Sequence, residues 1–132
     1  ALYVAGRIIK LMIAHDIQPK GAKLLVLGLT FKEDCPDIRN TKVIDLVSEL
    51  RSYGIDVAVS DPWADSAEAE MEYGLELVDQ PKADTYDAVV IAVAHKQYRD
   101  WGADKIRRMC KKGGVVYDIK YLLPEDASDE RL

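Results

Sequence analysis

The chain is short of cysteine. Cys35 and Cys110 are its only two, far apart and without the spacing of a metal site. Neither a disulfide framework nor a bound metal is expected, and a reduced, cytoplasmic setting is the simple reading. Positive charge is also in deficit, with 18 Lys and Arg against 23 Asp and Glu and a net charge of −5. That argues against nucleic acid as a partner, because affinity for a phosphate backbone comes from clustered cations. No apolar run approaches the roughly 20 residues needed to cross a bilayer, so no membrane is expected. The most telling absence concerns glycine. None of the eight glycines is arranged as G-x-G-x-x-G, the pattern that lets a backbone close around a pyrophosphate.

What is present is an ordinary globular composition, 48% hydrophobic and 31% charged, in a length of 132 residues that suits one core. Val4, Ile8, Leu11 and Met12 share one helical face up to about His15. No capping residue precedes that helix, which is expected of a chain cut from a longer one. A strand is predicted over 23–29. Asn40 is placed to cap a helix whose inward positions are Val43, Ile44, Val47 and Leu50, ended by Gly54. A strand over 55–60 closes at Asp61-Pro62-Trp63, a polar helix runs over 65–73, and 75–78 suits a short edge strand. The most apolar run, 86–94, reads as the central strand beside the first. A helix over 103–112 with Lys111 and Lys112 at its negative end, then a strand over 114–119, complete the pattern. The acidic end from Glu125 is expected to be disordered. Strands alternating with helices imply an α/β fold with a parallel, doubly wound sheet in three α/β/α layers. Right-handed crossovers bring the strands' carboxyl ends to one rim, with the segment after strand one, Asp61, His95 and Lys120 along it.

Gly28-Leu29-Thr30-Phe31-Lys32-Glu33-Asp34-Cys35-Pro36-Asp37-Ile38-Arg39-Asn40 follows the first strand. Ligands of open α/β sheets bind just there. With a lone glycine, recognition of an anion passes from backbone to side chains: Lys32 as a mobile point charge, Arg39 as a planar fork.

That segment resembles the C-terminal domain of the UDP-glucose/GDP-mannose dehydrogenase family. The likeness continues through Asn40-Thr41-Lys42-Val43, Asp61-Pro62-Trp63, Ala92-Val93-Ala94-His95 and Val116-Tyr117-Asp118-Ile119-Lys120, so it covers nearly the whole chain. The wording of the motif is similar to the branch that oxidises UDP-N-acetylhexosamines. The resemblance implies a Rossmann-like UDP-sugar-binding domain over 21–124, the end of a long linker helix over 1–20, and an acidic tail over 125–132. It implies a part of an NAD-dependent nucleotide-sugar 6-dehydrogenase, oxidising the sugar C6 hydroxyl to a uronic acid for polysaccharide biosynthesis. The NAD-binding domain and catalytic cysteine would lie in the upstream domains of the same enzyme, leaving this piece inactive alone and without a catalytic residue. Phe31, Lys32 and Lys120 would contact the UDP-sugar, and Arg39 would approach the NAD. A homo-oligomer is implied as well. Where UDP-glucose dehydrogenases have an arginine, Lys120 keeps the charge and loses the fork.

Arg39 has a second reading, an ion pair with Asp34 or Asp37 that holds the loop. Cys35 has no base nearby and two carboxylates beside it, which marks it as structural. Asp61 before a proline reads as a turn or cap residue, His95 as a helix-start residue, and Trp63 and Trp101 as packing or interface anchors. A stand-alone flavodoxin-like or receiver-like module stays open as the alternative function; a complete small dehydrogenase is disfavoured by the missing glycines.

Overall fold

A computed structural model describes residues 1–132. The elements run α1 (Leu2–Ala14), β1 (Lys23–Leu27), α2 (Val43–Ser52), β2 (Asp56–Ser60), α3 (Ser66–Tyr73), β3 (Tyr86–Ile91), α4 (Lys96–Arg108), β4 (Cys110–Asp118), a 3-10 turn (Glu125–Ala127) and β5 (Glu130–Arg131). The five strands form one parallel sheet in the order β2-β1-β3-β4-β5. This is the expected α/β, Rossmann-like sheet with β3 at its centre.

Alternation along the buried strands divides the core into two layers. Leu24, Val26, Val57, Val59 and Val90 pack with α1 and α2 on one face, whereas Leu25, Leu27, Val89, Ile91 and Val116 face Tyr98 and Ile106 of α4. Ala5, Ile8, Leu11 and Met12 of α1 are buried in the first layer, so one face of α1 shares the domain's core. Arg7 of α1 donates through Nε and Nη2 to both oxygens of Glu130 in β5, at 2.8 and 2.9 Å. That bidentate pair ties the first helix to the last strand.

Several expected boundaries move, each because a distant group intervenes. Strand β1 stops at Leu27, where Gly28 takes φ +109° and its N–H donates to the Ser60 carbonyl at 2.8 Å. A Cβ on Gly28 would lie 2.6 Å from Val93 Cβ and 2.8 Å from Val93 N, so only glycine fits this crossing of β1 and the segment after β3. Asn40 does not cap α2. It sits at φ 58°, and the Thr41 hydroxyl accepts the Val43 N–H at 3.1 Å instead. Residues 75–78 form no strand; a single bridge joins Leu77 to Val59. Helix α4 begins at Lys96, because the Asp34 carboxylate accepts the Lys96 N–H at 2.8 Å from another loop, and Gly102 (φ 77°) kinks it. Lys111 and Lys112 lie not at a helix end but in β4, where the register with β3 slips between Tyr86 and Ala88. The end from Glu125 is not disordered. Its Asp129 accepts from Arg107 and from the Val116 N–H, both at 2.8 Å, and its last residues pair with β4.

Candidate functional site: a cationic cleft at the carboxyl rim

Each strand ends on the same rim, and the loops there enclose a cleft of about 320 Å³. The loop after β1 supplies Thr30, Phe31, Lys32 and Glu33; the start of α2 supplies Thr41, Lys42 and Val43; the segment after β3 supplies Ala92, Val93 and Ala94; the loop after β4 supplies Lys120. Phe31, Lys32 and Lys120 are thus brought together although they span 90 residues of sequence. Phe31 is 58% exposed, an aromatic ring shown to solvent beside the lysines. Lys32, Lys42 and Lys120 take part in none of the chain's ion pairs. Glu33, the one acid of the lining, lies 3.7 Å from Arg99, and three like charges left without an ion-pair partner favour an anion between them.

The loop carrying Phe31 and Lys32 is irregular, yet it is held at many points. The Phe31 N–H donates to the Asp37 carbonyl at 2.7 Å, the Thr30 hydroxyl donates to the Lys32 carbonyl at 2.9 Å, and Tyr73 donates to the Ile38 carbonyl at 2.6 Å. Ile38 itself is fully buried and anchors the loop to the core. Asp61 organises the base. Its Oδ2 accepts the Leu29 N–H at 2.6 Å and the Thr30 N–H at 3.0 Å, and its Oδ1 accepts from Trp63 and Ala64. His95, fully buried, places Nε2 2.8 Å from Asp61 Oδ2 and 3.1 Å from Thr30 Oγ1, while Nδ1 accepts the Asp34 N–H at 3.0 Å. Because Nδ1 accepts, the proton sits on Nε2 and is donated to Asp61. Burial pushes the Asp61 carboxyl up. The hydrogen bonds from His95 and the two amides outweigh that and hold it below the usual carboxylate range. Asp118 does the same for the loop after β4, accepting the N–H groups of Lys120, Leu122 and Leu123.

Arg39 lies outside the cleft lining. Its side chain is 79% exposed and donates through Nε and Nη2 to Asp37 at 3.0 and 3.2 Å. Its partner is Asp37 rather than Asp34, and the Arg39 hydrogen bonds hold the Asp37 carboxyl below its usual range. Asp61 is the turn residue expected, its Oδ1 accepting the N–H groups of Trp63 and Ala64, two and three residues on, and His95 stands at the start of α4 without a side-chain cap bond. The two also form one buried network under the loop. Both Asp61 oxygens are committed to donors, so it cannot serve as the phosphoacceptor of a receiver. Sequence reasoning did not single out Lys42 and Thr41 as cleft residues, nor the Thr30–His95–Asp61 network. Lys42 was legible only as the residue before a helix, a position that puts it on this rim once α2 follows the β1 loop.

The residues suit an anion held by side chains better than a dinucleotide held by backbone amides. In a dinucleotide-binding turn the amides after β1 face a pyrophosphate; here the Leu29 and Thr30 amides are spent on Asp61. The chain therefore lacks the groups to hold NAD at this turn.

Residues 25–125 match the UDP-glucose/GDP-mannose dehydrogenase family, UDP binding domain. UDP-N-acetyl-D-glucosamine 6-dehydrogenase of Pseudomonas aeruginosa is 48% identical over 130 residues, 98% of this chain and 31% of that protein. Protein CapL of Staphylococcus aureus is 44% identical over 126 residues, 96% of this chain and 30% of its own length. The chain thus spans about three tenths of the curated relatives it matches. Among solved structures, UDP-D-ManNAc dehydrogenase of Pyrococcus horikoshii superposes with a TM-score of 0.78 over 98% of this chain and 29% of that one. At 21% identity that likeness speaks for the fold alone. No helix of the chain is long and apolar enough to cross a membrane.

Proposed function

Because this chain belongs to the UDP-glucose/GDP-mannose dehydrogenase family, as its C-terminal UDP-binding domain, we propose that the cleft between the β1 and β4 loops receives the nucleotide diphosphate of a UDP-sugar. In this reading Lys32 and Lys120 bind the anion, Phe31 packs against the ligand, and Arg39 reaches toward NAD. The observation that carries it is the set of lysines in one cleft with no ion-pair partner beside an exposed Phe31. The full-length enzyme oxidises the C6 hydroxyl of a UDP-hexose or UDP-N-acetylhexosamine to the uronic acid for polysaccharide biosynthesis. Identity at 48% of positions to a UDP-N-acetyl-D-glucosamine 6-dehydrogenase favours the N-acetylhexosamine.

NAD is the oxidant such a reaction uses, and it is held mainly by the part of the enzyme outside this chain. What this chain contributes is binding and orientation: cations that fix the diphosphate leave the sugar's far end to be presented to the reacting groups. We further propose a cytoplasmic, homo-oligomeric enzyme; the two free cysteines accord with a reducing compartment. The test is calorimetric titration of the full-length enzyme with UDP, UMP and uridine. Affinity that falls stepwise as phosphates are removed supports the reading, and equal affinity for uridine and UDP refutes it.

A further inference from the structure

His95 is wholly buried, stands under the ligand-facing loop, and touches no ligand-facing surface itself. Its ring is clamped between aromatics, with centroids 6.4 Å from Trp63 and 5.4 Å, edge-on, from Tyr98. Both ring nitrogens are used, and both lead into the segment that bears Phe31 and Lys32. On one side Nδ1 holds the Asp34 amide at 3.0 Å, at a residue forced to φ 54°. On the other, Nε2 lies 3.1 Å from the Thr30 hydroxyl, which in turn donates to the carbonyl of Lys32 at 2.9 Å. A buried ring that needs two complementary partners allows one loop geometry rather than several.

We propose that His95 is a positioning residue for nucleotide-sugar binding: through Asp34 and Thr30 it fixes the presentation of Phe31 and Lys32. The proposal rests on the reading of the cleft given above. The groups facing the ring are the Asp61 carboxylate at 2.8 Å, the Asp34 carboxylate at 3.9 Å, the Thr30 hydroxyl and the phenol of Tyr98. Burial drives the Tyr98 phenol strongly upward, so it stays neutral.

The amide side chains separate the two nitrogens. Asn places its carbonyl near the position of Nδ1 and keeps an acceptor for Asp34, whereas Gln places its amide near Nε2 and keeps a donor for Asp61. In the full-length enzyme, titrated with UDP-N-acetylglucosamine, whose diphosphate does not titrate near neutral pH, His95→Gln should raise Kd by about tenfold or more. His95→Asn, which keeps the acceptor for Asp34 but gives up the Nε2 contact with Thr30, should raise it by less than His95→Gln does. Thr30→Val, which cuts the link to the Lys32 carbonyl, should act like His95→Gln. A merely structural role would instead make Kd follow the loss of thermal stability, whichever nitrogen is replaced. Should His95→Gln not fold, Thr30→Val decides alone. Folded His95→Gln or Thr30→Val enzyme with Kd within about twofold of wild type overturns the proposal. Lys32→Ala separates the layers: normal binding in that variant refutes the cleft reading, whereas weak binding there with normal His95→Gln refutes only the positioning role.

Discussion

Replacing Lys32 by alanine in the full-length enzyme is the sharpest single perturbation of the cleft. The ammonium makes no ion pair within the domain, so nothing in the fold depends on it and all its charge is available to a ligand. A hydrogen bond to a charged group contributes about 1.5–3 kcal/mol, which corresponds to a loss of roughly 12- to 150-fold in affinity. Lys42 and Lys120 line the same cleft and remain to face the anion, so the loss should fall toward the lower end of that range. Removing Lys120 as well should cost more than the sum of the separate losses, because the diphosphate is then left with Lys42 alone. Stability should hardly move. An exposed substitution is worth within about 0.5 kcal/mol, and the unfolding entropy of a domain of 132 residues is about 0.28 kcal/mol/K. The melting temperature should therefore shift by less than about 2 °C. Calorimetric Kd for UDP-N-acetylglucosamine and a thermal-shift curve suffice. Affinity within about twofold of wild type at an unchanged melting temperature would remove Lys32 from the site.

Gly28→Ala meets Val93 at 2.6 Å while φ stays near +109°; the strain and overpacking should cost about 2–5 kcal/mol, and a melting temperature lowered by less than about 2 °C would contradict the packing described. Lys120→Arg should bind UDP-sugars or change which sugar is preferred, whereas Lys120→Glu should abolish binding by adding an anion to an anion site; detectable saturation in the Glu variant speaks against it. The Asp61 carboxyl is lower in the folded than in the unfolded protein. Its stabilisation is thus complete above the unfolded value of about 3.8 and fades as pH falls through the folded one. Asp61→Asn should flatten that acid limb in a pH series of melting temperatures and cost stability at neutral pH; an unchanged limb would mean another group dominates. The 132-residue chain alone, incubated with UDP-N-acetylglucosamine and NAD, should yield no NADH, since Asp61 takes the amides after β1 that would face a dinucleotide; measurable NADH would overturn this.

The sheet and the rim were readable because they rest on local signals. Apolar runs of strand length alternating with helical segments imply parallel pairing, and parallel pairing alone delivers Lys32 and Lys120 to one edge. What escaped depends on partners far apart in the chain. The start of α4 is set by Asp34, 62 residues earlier, so no capping residue near Lys96 announces it. Thr41 replaces Asn40 as the cap because Asn40 is turned into the left-handed region by the end of the loop. The acidic end reads as disordered by composition, yet Arg7 and Arg107, from opposite layers, draw in Glu130 and Asp129. His95 read as a helix-start residue and does precede α4, but its chemistry comes from Asp61 and Thr30, which no spacing in the sequence connects.

Asp61 has a consequence for how such a domain can diversify. Its carboxylate takes the amides that an α/β fold of this kind would otherwise offer to a phosphate, so the protein carries its own internal phosphate mimic. The turn after β1 is thereby self-occupied. In the proposed site a nucleotide would enter beside it, on the side of Phe31 and the lysines, where side chains that a single codon change can alter would set the recognition. Freed of that carboxylate, the turn would regain two amides able to compete for any small oxyanion. One buried acid thus keeps a generic phosphate seat closed and commits the domain to a ligand chosen by its rim.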